Sequence, residues 1–285
     1  MPKAGSFSIK YIVKPIETGY WRPGADYVGI IASAVKHRLE DGDIVVISEK
    51  AISVARGNLI DESKVKPGIL ARFLACYWVR YCWGYFLGPI CHFKPELIHR
   101  FRTYPKAAVA HKQVALENVS FLQALKPTSE GGIDLSNVPF TYASLPLNDA
   151  QQIALEIFNA IRRIKRKRFG VMIADTDDTY SLCGLHLTAR PTQMKGIHSF
   201  GGVITTILGR LFKLKLRATP LAIVGCELTT EEALDIAEIA HHARQHGAGR
   251  TAWDTAERFG VGLTEVTWEM LESIEHKPIV IVRRK

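Results

Sequence analysis

The sequence predicts a fold of the α+β class, and three observations carry that reading. Short apolar runs suited to strands and stretches of helical period follow one another along the whole chain. No internal repeat, low-complexity tract or long linker divides its 285 residues. A chain of this length can bury a substantial core, as one large domain or as two intertwined halves.

The elements follow in order. Phe7 to Val13 alternates apolar and polar side chains, the period of a strand. Asp26 can cap a helix that lines Val28, Ile31, Val35 and Leu39 along one face. Asp41-Gly42-Asp43 is a turn signal, and Ile44-Val45-Val46-Ile47 then reads as a buried strand. Ser48-Glu49-Lys50 lies at its exit, where polar side chains either meet a ligand or simply begin a helix. Asn148-Asp149 opens an amphipathic helix with Ile153, Ile157, Ile161 and Ile164 inward. Another helix runs from Thr229 to around Ala248, and Pro278-Ile279-Val280-Ile281-Val282 closes the chain as a strand.

Ile69 to Phe93 is dense in Leu, Phe, Tyr, Trp and Cys, but Arg72 and Arg80 interrupt it and Gly84, Gly88 and Pro89 break its second half. A membrane span wants about 20 predominantly apolar residues in succession. The segment therefore reads as a helix that is buried or faces a second copy, with association to a membrane surface as the alternative.

Hydrophobic residues make up 47% and charged residues 23%, the balance of a soluble globular protein. The net charge of +9 attracts polyanions, whether nucleic acid, a membrane surface or a phosphorylated ligand. Arg162-Arg163-Ile164-Lys165-Arg166-Lys167-Arg168 concentrates that charge. No aromatic side chain is interleaved with it, which favours a solvated helix end over a nucleic-acid platform. Five cysteines, odd in number and without a CxxC pair, point to a reducing, cytoplasmic setting without structural zinc or disulfides. Met1-Pro2-Lys3-Ala4-Gly5 lacks the apolar core of a secretion signal.

Two acidic turns carry the chemistry. Glu130-Gly131-Gly132-Ile133-Asp134-Leu135-Ser136-Asn137-Val138-Pro139 places carboxylates beside glycines, and Val171-Met172-Ile173-Ala174-Asp175-Thr176-Asp177-Asp178-Thr179 places them at the mouth of an apolar strand. Oxygen donors of this kind suit Mg²⁺ or Mn²⁺ far better than zinc. A GxxxxGK[ST] phosphate loop, a GxSxG elbow and an HExxH motif are all absent. His241, His242 and His246 lack a carboxylate to complete a metal set and read as a solvated helix face. Cys183 reads as a small buried thiol rather than a nucleophile.

The two acidic turns stand in a longer ordered series. It begins with Ile16-Glu17-Thr18-Gly19-Tyr20-Trp21-Arg22-Pro23-Gly24-Ala25-Asp26, then Asp41 to Lys50 and Ala55-Arg56-Gly57. It ends with Met270-Leu271-Glu272 and Pro278 to Arg283. Taken together, the series resembles the coenzyme F420-0:L-glutamate ligases (gamma-glutamyl ligases), including the longer archaeal-type members, along nearly the whole chain. The resemblance implies one domain over 1–285, with mixed or antiparallel sheets, flanking helices and two intertwined subdomains. It implies a homodimer as well.

By the same resemblance, Asp134 and Asp175 hold the divalent metal, Mg or Mn, with Glu272 as a third metal-side residue. Asn137 and Thr176 contact the nucleotide, and Thr18, Gly19, Tyr20, Trp21, Glu49 and Lys50 fall where the family lines its GTP site. Asp134, Asp175 and Lys50 would be the catalytic set, joining L-glutamate to F420-0 or a related acid with GTP as co-substrate. Three departures stand out: Val54 takes the place of a GTP-contacting lysine, Asp177-Asp178 take the place of a Gly-Arg pair, and no Asp-Tyr-x-Gly-x-x-Asp segment is evident from Met194 to Gly209. These departures leave two alternatives open. One is a non-catalytic nucleotide- and metal-binding member of the fold, the other a basic protein of nucleic acid or membrane surfaces.

Overall fold

Val- and Ile-rich strands covered on both faces form the centre of the molecule. The structure, a computed structural model, describes residues 11–105, 108–139, 141–245, 247–249 and 251–285. Its strands are β1 (Tyr11–Thr18), β2 (Asp43–Ser48), β3 (Leu59–Asp61), β4 (Tyr142–Ser144), β5 (Phe169–Leu182), β6 (Leu185–Thr188), β7 (Ile197–Ser199), β8 (Lys215–Val224) and β9 (His276–Arg284). The first helices are α1 (Tyr27–Val35), α2 (Glu49–Ala55), α3 (Ile69–Phe73), α4 (Gly88–Ile90), α5 (Pro95–Arg102), α6 (Ala108–Asn118) and α7 (Phe121–Ala124). After them come α8 (Ala150–Ile164), α9 (Val203–Leu211), α10 (Thr230–Arg244), α11 (Ala252–Phe259) and α12 (Trp268–Glu272).

The main sheet runs β1-β9-β2-β5-β6-β7, with β8 also paired to β5, and β3-β4 form a separate ribbon. β2 runs parallel to β5, whereas β9 is antiparallel to both β1 and β2, so the sheet is mixed, as the resemblance implies. Alternation sets the layers. Val45, Ile47, Val171, Ile173, Ile279 and Ile281 pack under Ile31 and Val35 of α1 and Ile153, Ile157 and Ile161 of α8. Their neighbours Ile44, Val46, Met172, Val280 and Val282 face Ala233, Ile236, Ala237 and Ala240 of α10. Each fully buried side chain of this size contributes about 1.5–3 kcal/mol.

Several boundaries differ from the sequence expectations. Phe7 to Lys10 lie outside the described residues, and β1 runs on from Val13 to Thr18 because β9 pairs with it along that length. Ile164 is exposed, since it is the last residue of α8 and the chain turns extended at Lys165. Helix α10 stops at Arg244 because Gln245 takes φ 62°, which ends the helical path. The acidic Val171–Thr179 segment does not end a strand. It lies inside β5, where two extra residues bulge between the Asp175↔Thr219 and Asp178↔Ala218 pairs. Cys183 is exposed, not buried, in the two-residue β5–β6 turn, where it and Gly184 both have positive φ. The basic run spans the end of α8 and the chain just beyond it, where Lys167 and the Arg168 amide hold Asp41 at 2.8 Å each.

A second, helical layer comes from the aromatic segment. Between α3 and α4, Leu74–Leu87 winds as a π-helix. Trp83 is fully buried, edge-on to Phe93 at 5.7 Å, and both Trp78 and Trp83 donate to the Leu125 carbonyl. The opposite face is open: Phe73, Tyr77, Tyr81 and Tyr85 stack in succession, with ring centroids 5.9–6.2 Å apart. Among the described residues no helix is long and apolar enough to cross a membrane.

A buried charge cluster fixes the Glu130 turn to this layer. Glu130 accepts from Lys112 and from His111, whose other ring nitrogen meets Glu62 at 2.7 Å. Burial opposes the His111 charge, but the Glu130 and Glu62 carboxylates outweigh it and push His111 up to about 10. Its pKa is therefore higher folded than unfolded. The stabilisation is complete below about pH 6.5 and is lost as pH rises through 10. Urea unfolding across pH 6–10 is expected to show that decline, and His111→Gln to flatten it. Glu130→Gln, which leaves buried Lys112 without a counter-charge and His111 with Glu62 alone, is expected to cost about 3–5 kcal/mol in the same measurement.

Candidate functional site

Parallel pairing brings the exits of β2 and β5 side by side, with Ser48 opposite Ala174. Glu49 and Lys50 open α2 at one exit, and Asp175 begins the β5 bulge at the other. Because β1 and β9 are antiparallel, Tyr20 and Trp21 beyond β1 and His276 at the start of β9 reach the same end of the sheet. The Asp134 segment arrives from the helical layer and is tied to Ser144 by reciprocal backbone hydrogen bonds of 3.1 and 2.9 Å.

Arg190 joins these parts. Its buried guanidinium holds both oxygens of Glu49 and one of Asp175. Glu49 also accepts the Leu147 amide at 2.7 Å. Burial works against the Asp175 charge, yet the Arg190 guanidinium more than offsets it and holds that carboxyl below its usual range. Gly132 makes room for the arginine: a Cβ there would lie 2.5 Å from Nη1, and its φ of 93° suits only glycine. On the solvent side Lys50 pairs with Asp134 and donates to Ser136, while the Ser136 amide returns to Asp134 at 2.7 Å.

Two cavities meet here. The first, about 370 Å³, is bordered by Tyr20, Trp21, Asn137, Arg244, His276 and Lys277. The second, about 290 Å³, is bordered by Leu97, Tyr104, His111, Glu130, Asp177 and Trp253. Lys50, Asp134, Ser136, Asp175 and Thr176 line both. Asp177 is buried with no partner for Oδ2 among the described residues, and burial and the nearby Asp175 push it up to about 8. Burial lowers His276 to about 4, leaving it neutral, and its Nδ1 donates to the Gly19 carbonyl at 3.2 Å.

The expected site residues divide into groups. Asp134, Asp175, Lys50 and Thr176 stand together on the shared wall, with Tyr20, Trp21 and Asn137 in the first cavity and Glu49 in the second. The Asn137 side chain accepts from the Ala248 amide and donates to the Gly249 carbonyl, so it also ties the turn to the segment before α11. Thr18, Gly19 and Glu272 border neither cavity, and Glu272 is instead held by Arg22 on the surface. Val54 is buried and lines the first cavity. No arginine stands in the loop after Thr176; Arg190 pairs with Glu49 and Asp175 behind the wall, and Arg244 lines the first cavity. The Gly131-Gly132 pair signals a close approach but cannot say by what. Among the described residues no three His, Cys, Asp or Glu side chains are grouped to hold a metal ion, so the three-histidine reading gains nothing; His246 lies outside the described residues. The donors of the shared wall still fit a hard ion. Mg²⁺ takes one or two carboxylates and completes its shell with phosphate oxygens and water, and the wall offers Asp134 and Asp175.

A family model described as F420-0:Gamma-glutamyl ligase matches residues 15–230, and the chain belongs to that family. It is also 40% identical over 282 residues to an uncharacterized protein of Methanocaldococcus jannaschii, covering 95% of this chain and 96% of that protein. Arg244, Glu272 and His276 lie beyond the matched segment.

Arg190→Met would leave Glu49 and Asp175 buried without a counter-charge. It is expected to cost about 3–5 kcal/mol in chemical denaturation. Adding Glu49→Gln is expected to recover part of that loss, which checks that the two residues act as a unit.

Proposed function

We propose that the protein is a GTP- and divalent-metal-dependent ligase that joins L-glutamate through an amide bond to coenzyme F420-0 or a related acid. The observation that carries this reading is the wall of Lys50, Asp134, Ser136, Asp175 and Thr176 shared by two cavities. A phosphoryl donor on one side and an acid on the other can meet there. The first cavity has the cationic side chains Lys50, Arg244 and Lys277 and suits the nucleotide. The second has Leu97, Phe101, Tyr104, Ile133 and Trp253 and suits a ring-bearing acid.

The chemistry runs in two steps. A carboxylate oxygen of the acid attacks the γ-phosphorus, the bond to the bridging oxygen breaks and GDP leaves. The glutamate nitrogen then attacks the acyl carbon, the carbon–oxygen bond breaks, inorganic phosphate leaves and the amine's proton passes to water. Lys50 releases Asp134 to offset charge on the transferring phosphoryl group. When bound between Asp134 and Asp175, a divalent ion would neutralise the phosphoryl oxygens further. Arg190 keeps Asp175 ionised and fixed.

Phosphate release that requires Mg²⁺ or Mn²⁺, the acid and the amino acid together is the expected activity. Asp134→Asn is expected to lower it by about 10²–10³-fold with the circular dichroism spectrum unchanged; full activity in that variant would end the assignment. The ion pairs that occupy Asp134 and Asp175 support a second reading, a binding protein without turnover. Calorimetry showing nucleotide binding with no phosphate release over a panel of acids would select it.

A further inference from the structure

Arg244 ends α10 on the wall of the first cavity. Its side chain is 8% exposed, and neither Nη1 nor Nη2 has a partner among the described residues. Burial draws its pKa down to about 10, against a smaller opposing pull from Asp175, so it remains cationic at neutral pH. A buried guanidinium without hydrogen bonds is disfavoured unless something completes it. The protein does not: Asp175 is engaged by Arg190, and Asp134 by Lys50.

A second orphan lines the same cavity. Trp21 is 2% exposed, and its Nε1 also lacks a partner. Indole and guanidinium nitrogens only donate. Lys50 and Lys277, paired with Asp134 and Glu275, also line it. The missing component is therefore rich in acceptor oxygens and negatively charged.

We propose that Arg244, assisted by Trp21 Nε1, is the oxyanion seat of the first cavity, and that its guanidinium takes the phosphate oxygens of the nucleotide. The proposal rests on the reading of this cavity as the nucleotide's, and it assigns a specificity residue beyond the 15–230 family segment. A planar fork suits phosphate in two parallel hydrogen bonds, which a lysine cannot reproduce. Polyphosphate fits better than a single carboxylate because several cationic side chains share the lining.

The test is calorimetry on the full chain with GTP, with inorganic tripolyphosphate and with L-glutamate, beside unliganded melting temperatures. Arg244→Met is expected to weaken GTP and tripolyphosphate binding by at least about tenfold, the loss of a charge-assisted pair. Its unliganded melting temperature is expected to hold or rise, because a buried unpaired charge has been removed. Arg244→Lys is expected to fall between, and it supplies the same readout if the methionine variant does not fold. A merely structural arginine would lower both unliganded melting temperatures and leave the affinity of the folded fraction intact, which overturns the proposal. Loss of glutamate binding alone would also overturn it, by giving the seat to the amino acid. Arg244-dependent tripolyphosphate binding without turnover on any acid would sustain the seat and sink the ligase reading. Normal turnover and affinity in Arg244→Met would do the reverse.

Discussion

Arg190 is the constraint on which the site depends. One guanidinium bridges Glu49, after β2, and Asp175, within β5, and so locks two strand exits into one geometry. Buried ion pairs of this kind add little net stability over apolar packing, but removing one partner is severe because a bare charge remains. The triad therefore specifies an arrangement more than it stabilises the fold. It also reaches the helical layer, since the arginine passes where Gly132 has no side chain.

That lock leaves the remaining charges unevenly satisfied. Asp134, Asp175 and Glu49 are each engaged by a cation of the protein, whereas Asp177 keeps an unpartnered oxygen and Arg244 two unpartnered nitrogens among the described residues. The orphaned acceptor lines the second cavity and the orphaned donors the first. The β5 bulge contributes to this arrangement, because two extra residues carry Asp177 and Thr176 to the wall while β8 continues past them.

Much of the fold was legible because apolar periodicity is local. The β2 run, the α8 face up to Ile161 and the closing β9 strand each show their burial in their own residues. The errors came where a neighbour decides the outcome. The bulge in β5 depends on pairing with β8, and the exposure of Cys183 depends on a hairpin turn that forms only when β6 pairs back. The aromatic segment misled in part for the same reason: Trp83 is core while Tyr77 and Tyr81 are open, and packing against α5 and α6 separates the two faces.

The sequence by itself determined the β2 and β9 strands, the α1, α8 and α10 helices and the two acidic segments, because side-chain period and turn chemistry act over a few residues. Its ordered motifs grouped Asp134, Asp175 and Lys50, and the three do line one wall. Tertiary structure alone decided which charges meet. Arg190 and Arg244 carry no local signal, since a charge acts through space at distances unrelated to sequence separation. Glu272, which the motif order set beside the metal, sits with Arg22 for the same reason.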